Sequence, residues 1–226
     1  MRLLRQAATV AAKDLRSEIR TKEAINASLA FALVILLLFS FAFDPTSDQT
    51  REMSGGLLWL VFAFAGALIL NRSFARELEN DCLDALLAAP ISGAALFLGK
   101  AWANLVLLLA VELLSLPVFG VFYNVRWTPQ WPALLLVLVL GTWALTVIGT
   151  MFSALTVNLR LREIMLPMLV YPFMIPALMA AIQISTGLIN GQPLAGAMID
   201  WLKLLAGFDL IYTALALALA DTVLVG

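Results

Sequence analysis

The sequence predicts an all-α, polytopic membrane protein with about six transmembrane helices and an amphipathic helix at its N-terminus. Two observations carry that prediction. Of 226 residues, 62% are apolar and only 13% charged, whereas water-soluble domains sit near 45–50% and about 25%. The charges also gather in a few short stretches separated by long apolar runs, as in a chain whose solvent is lipid for much of its length.

The elements follow in order. Residues 3–20 place Leu4, Ala7, Ala8, Ala11, Leu15 and Ile19 on one helical stripe, with Arg2, Arg5, Lys13, Arg16 and Arg20 on the other face. A basic amphipathic helix followed at once by a span reads as an interfacial helix over residues 1–22; the competing reading is a water-exposed helix packed on a partner. The apolar run after it does not end in a small-residue cleavage site but in Phe41-Ala42-Phe43-Asp44-Pro45, so it is expected to be a retained first span. A crossing of roughly 30 Å takes about 20 residues. The expected spans are 25–43, 54–70, 101–123, 132–157, 164–186 and 202–224. Trp59, Trp102, Trp127, Trp131 and Trp201 fall at or near their ends, where indoles favour the headgroup layer.

Charge sets the orientation. With the N-terminus inside, the inner segments hold Arg2, Arg5, Lys13, Arg16, Arg20, Lys22, Arg72, Arg76, Lys100, Arg160 and Arg162, eleven of the fourteen basic residues. The outer segments hold three, Arg51, Arg126 and Lys203. This asymmetry predicts that both termini are cytoplasmic. With Gly226 ending the last span, one transmembrane domain over residues 1–226 is expected, with no water-soluble catalytic domain attached.

Several kinds of chemistry are disfavoured. There is no histidine, and Cys82 is the single cysteine, so the commonest general base and metal or haem ligand is missing and no internal disulfide can form. The net charge of −1 gives no reason to expect a nucleic-acid partner. Gly93 and Gly99 before Lys100 superficially suggest a phosphate-binding loop, but they enclose five residues rather than four and Ala101 follows the lysine, against the G-x-x-x-x-G-K-[ST] pattern. Lys100 then reads as an interfacial anchor at the foot of the third span, and ATP hydrolysis, if the chain uses it, belongs to a separate partner. No catalytic and no metal-binding residue is expected.

The longest inner connection, residues 72–90, is the richest in signal. Leu83, Leu86 and Leu87 share a helical face beside acidic Glu77, Asp81 and Asp84, and Pro90 ends the pattern. Two readings stand: a docking element on the cytoplasmic surface or a solvated connector. Glu112 lies in the middle of the third span and Asp209 in the sixth. Ionisable groups at such depth are costly and face the bundle, a cavity or a partner, as coupling or substrate residues or as hydrogen-bonded packing. Pro117 is expected to kink the third span, and Pro167, Pro172 and Pro176 to interrupt the fifth. Residues 183–200, with Gly187, Gly191 and Pro193, then read either as a partly re-entrant outer segment or as an ordinary loop after a kinked span. Gly141, Gly149 and Ser153 suggest close helix contact, within the chain or between subunits.

The sequence resembles the CcmB family, the membrane subunit of the haem exporter of cytochrome c maturation, over nearly its whole length. The resemblance rests on Phe74-Ala75-Arg76-Glu77, on Leu83-Asp84-Ala85-Leu86-Leu87-Ala88-Ala89-Pro90, on Gly99-Lys100 and Asn104, and on Leu166-Pro167-Met168 with Pro172 and Pro176. It implies a six-span permease of the ABC-2 exporter type in the bacterial inner membrane. It also implies a separate ATPase of the CcmA kind, further partners of the CcmC, CcmD and CcmE kinds, and a homodimer within the complex. ATP acts through the partner subunit, and haem is cargo, directly or on its periplasmic chaperone CcmE, rather than a bound cofactor. The helix within 72–90 would couple the ATPase to the spans through Arg76, Glu77, Asp81, Asp84, Leu86 and Leu87. The alternatives are a permease for another cargo such as a lipid-linked glycan or drug, a non-transporting scaffold, or an intramembrane enzyme built on Glu112 and Asp209, for which no paired ligand or nucleophile is visible.

Overall fold

The structure, a computed structural model, describes residues 2–44, 47–75, 91–125, 130–156, 159 and 161–224, leaving aside the side chains of Arg162 and Leu224. Among the described residues there are seven helices and no strand: α1 (Arg2–Thr21), α2 (Glu23–Ala42), α3 (Asp48–Arg72), α4 (Gly93–Phe122), α5 (Trp131–Thr156), α6 (Arg162–Ile189) and α7 (Ala197–Leu224). Helices α2 to α7 are each long and apolar enough to cross a bilayer, as expected of a chain whose backbone polar groups must be satisfied within each segment.

The bundle is organised around α3, α4 and α5. Leu58 and Phe62 of α3, Leu108 and Val111 of α4, and Leu138 and Leu145 of α5 share one buried apolar cluster. Helix α2 packs on α3 and α4, while α6 and α7 close the other side against α5. Outward faces stay apolar, as with Phe41, Val121, Met168 and Leu210, because here the outer solvent is lipid.

Small residues let α3 and α5 interlock. A Cβ on Gly141 would collide with the Trp59 ring, one on Gly149 with Leu70, and one on Gly66 with Leu145. Such close approach through small residues supplies the dispersion contacts that hold helices together in lipid. The expected close contact at Gly141, Gly149 and Ser153 thus lies within the chain. Trp59 is not at a headgroup boundary: it is 1% exposed, its Nε1 donates to Ser185 Oγ of α6 at 2.9 Å, and α3 starts at Asp48, capped by the Ser47 side chain on Thr50 N. The longer helix places Trp59 eleven residues inside it.

Two other expectations are corrected. The three prolines do not interrupt α6, which runs unbroken from Arg162 to Ile189. A proline withdraws one backbone donor without necessarily ending a transmembrane helix; Pro172 and Pro176 lie on the exposed face of α6, and Tyr171, beside Pro172, ties α6 to α3 by donating its hydroxyl to the Ala63 carbonyl at 3.1 Å. Residues 183–189 therefore continue the span, and a short turn over 190–196, with Gly191 and Gly196 at positive φ, leads directly into α7. A re-entrant segment is not formed. Pro117 lies inside α4, which continues past it to Phe122.

Helix α1 is amphipathic, but its buried face is Ala7, Val10, Ala11 and Glu18, rotated from the expected stripe, so Leu4 and Ile19 remain exposed. The cause is close packing on α4. Gly99 faces α1 so tightly that a Cβ there would lie 2.6 Å from Val10 Cβ and 2.7 Å from the Ala7 carbonyl. Only small side chains fit that contact, which selects the alanine face. Lys22, in the left-handed region with φ 55°, turns the chain from α1 into α2. Glu18 caps the new helix, accepting from Ile25 N at 3.0 Å, and satisfies an amide that the helix start would otherwise leave without a partner.

Candidate functional site: a buried polar seam and the roots of the inner connector

Helices α4 and α5 run antiparallel, and their register brings polar side chains face to face inside the bundle. Thr142 Oγ1 lies 2.8 Å from both Glu112 carboxyl oxygens. Two turns toward the inner end, Asn104 Nδ2 donates to Thr150 Oγ1 at 2.9 Å. Between these pairs Thr146 is buried and donates to the Trp143 carbonyl. Below them Ser153 Oγ donates to the Leu70 carbonyl of α3 at 2.8 Å. Polar residues four apart on each helix, Lys100 and Asn104 on α4 and Thr142, Thr146 and Thr150 on α5, recur on one face and make a continuous seam. Buried polar groups that find partners in lipid hold helices in one register.

The seam ends at Lys100. α4 begins at Gly93, so Lys100 is two turns inside the helix and its side chain is fully buried. It is not a surface anchor. Its Nζ lies 3.1 Å from Asp14 Oδ2 of α1, 2.6 Å from the Ser73 carbonyl and 4.8 Å from the centre of the Phe74 ring. The Ser73 hydroxyl accepts from Asn104 Nδ2 at 3.0 Å. A buried ammonium is tolerated only when paired and hydrogen-bonded, and here carboxylate, carbonyl and aromatic face all serve it. These partners converge on Leu70–Ala75, the stretch that enters the connector. At the far root Ser92 caps α4 through its side chain on Ala95 N, and Gly93 N donates to Asp221 Oδ1 of α7 at 2.7 Å. A Cβ on Gly93 would lie 2.6 Å from that same oxygen, so glycine permits the contact.

The expected coupling residues Arg76, Glu77, Asp81, Asp84, Leu86 and Leu87 lie outside the described residues. Glu112 and Asp209 are both buried inside the bundle but are not brought together. Glu112 is held by Thr142, whereas neither carboxyl oxygen of Asp209 has a hydrogen-bond partner among the described residues. Among the described residues no group of three acidic or cysteine side chains could hold a metal ion. Sequence reasoning missed Asp14, Ser73, Asn104 and Thr150 as members of the inner cluster. The four-residue spacing of polar positions in otherwise apolar helices was the signal available for Asn104 and Thr150; Asp14 and Ser73 depend on tertiary contact.

The comparison with known proteins decides the family. The pattern described as "CcmB protein" matches residues 5–225. This chain belongs to the CcmB family. Three similar CcmB relatives are each named "Heme exporter protein B". The one from Rhodobacter capsulatus is 36% identical over 166 residues, covering 74% of this chain and 76% of the relative. That of Paracoccus denitrificans is 32% identical, covering 90% of this chain and 91% of the relative. That of Pseudomonas aeruginosa is 30% identical, covering 95% and 96%. The match includes α1 and the connector, so the inner node and the seam lie within the CcmB region.

Proposed function

We propose that this chain is the permease subunit of an ATP-driven ABC transporter complex in cytochrome c biogenesis, involved in export of haem or in release of the haem-loaded periplasmic chaperone of the CcmE kind. The observation that carries the reading is membership of the CcmB family over residues 5–225 together with relatives named heme exporter protein B. The chain is a transport subunit rather than an enzyme, and ATP hydrolysis resides in a CcmA-like partner. That partner docks on the inner connector, where Glu77, Asp81 and Asp84 offer acid and Leu86 and Leu87 offer apolar contact. Proteins of the CcmC and CcmD kinds complete the complex, which holds two copies of this chain. The complex sits in the bacterial inner membrane with both termini of this chain cytoplasmic, supported by the eleven basic residues on the inner side.

Affinity purification from detergent-solubilised membranes tests this. The wild-type chain is expected to carry an ATPase subunit with it, and Arg76→Ala or Asp84→Lys to release that subunit while the permease stays in the membrane. Undiminished association in both variants would remove the connector from the docking surface. Absence of any ATPase from the wild-type preparation would remove the ATP-driven reading itself.

A further inference from the structure

We infer that Lys100 is the positioning residue that passes displacement of the inner connector into the membrane helices, as the centre of a clamp made with Asp14, Ser73 and Asn104. The inference rests on the proposed function, because it assumes that work arrives at the connector from a partner. Its grounds are geometric. The connector leaves α3 at Ser73, and both polar groups of that residue are grasped from α4: the carbonyl by Lys100 Nζ at 2.6 Å and the hydroxyl by Asn104 Nδ2 at 3.0 Å. The next residue, Phe74, is buried with the Lys100 ammonium near its ring face. Lys100 also reaches α1 through Asp14, and Asn104 reaches α5 through Thr150.

One short stretch of main chain is thereby bonded to α4 and, through the same two side chains, linked to α1 and α5. Inside a low-dielectric bundle such bonds resist stretching far more than exposed ones, so a shift of Ser73 carries these three helices with it. The other root is tied to a different helix, α7, by Gly93 N on Asp221. That root is the start of α4 itself, so both ends of the connector meet on α4, with α1 and α5 joined to it beside the first end and α7 at the second. Displacement of the connector therefore bears on α4 at both ends and shifts α4, with the helices bonded to it, against α3, on which it packs. Such relative movement of packed helices is a common way for a local event to reach a distant site. From Asn104 the seam runs through Thr150 and Thr146 to Thr142 and Glu112, so the motion entering at Lys100 extends to the outer half of α4.

The test uses the whole complex in membranes, with three readouts: the amount of chain inserted, the ATPase retained and its hydrolysis rate, and the holocytochrome c formed. Lys100→Met keeps the length of the side chain and removes its donors. It is expected to leave insertion, ATPase retention and hydrolysis at wild-type levels while holocytochrome c falls about tenfold, within the usual span of coupling effects. Lys100→Arg, which can still serve both carboxylate and carbonyl, is expected to recover most of that loss. Wild-type yield from Lys100→Met overturns the inference. So does a loss that Lys100→Arg does not recover, or one that comes with loss of the ATPase, since either marks packing alone. If Lys100→Met is not inserted, Asp14→Asn carries the test: it leaves the Ser73 bond in place and is expected to lower yield per ATP hydrolysed by about fivefold, and an unchanged ratio overturns the inference. A wild-type chain that retains no ATPase defeats the proposed function instead, whatever the variants do.

Discussion

Glu112 and Trp59 are each enclosed by a small or polar residue of α5, and each shows how a single side chain fixes helix register. Glu112 was legible from the sequence because an acid in the middle of a span is expensive. Its partner was not, because Thr142 meets it only through the antiparallel register of α5 on α4, thirty residues away. Trp59 misled for a related reason: indoles favour interfaces, but the helix holding it extends to Asp48 and Gly141 makes room for its ring. The Glu112 contact supports a prediction. Glu112→Gln keeps a carbonyl acceptor for Thr142 and is expected to change stability by less than about 1 kcal/mol, whereas Thr142→Val strips a buried carboxyl of its donor and is expected to cost about 1–2 kcal/mol. Unfolding of the purified variants in mixed micelles measures both. Equal effects of the two substitutions would show that the hydroxyl does not hold the carboxyl.

At the scale of elements the six spans were readable from apolar length alone, while their ends were not. α4 gains two turns at its inner end over the expected start, and these carry Lys100 into the bundle. The extension begins where Ser92 caps the helix and Gly93 meets α7, a tertiary contact that hydropathy cannot register. α6 shows the opposite error. Three prolines suggested a break by local rules, but a transmembrane helix can carry prolines without ending, and α6 runs past all three. The continuous helix predicts a labelling pattern. Single cysteines placed from residue 183 to residue 196 in a Cys82→Ser background are expected to react with an outside thiol reagent freely over 190–196. They should be protected with a helical period over 183–189. Reactivity without that period, or a second protected stretch dipping back after residue 190, would mean that the outer segment re-enters the membrane.

As a whole the molecule is a six-span bundle with α1 folded against its inner end, and its polar content is concentrated toward that end. α1 is seated on α4 by Gly99, Glu18 ties it to the start of α2, and Asp14 ties it to Lys100. The exposed Arg72–Glu23 pair at 3.0 Å adds little stability at such a site and marks only where the start of α2 meets the end of α3. The basic-residue asymmetry, from which cytoplasmic termini are expected, and the acidic connector were both plain in the sequence; the node that joins connector, α1 and α4 was not, because it is assembled from four separate parts of the chain. The family match over residues 5–225 and the relatives named heme exporter protein B support the proposed role in haem handling. The most direct test of that role is the yield of holocytochrome c in cells of the source bacterium from which this chain has been deleted. The account predicts that holocytochrome c disappears on deletion and returns when the chain is supplied again in trans. Normal holocytochrome c in the deletion cells would contradict it.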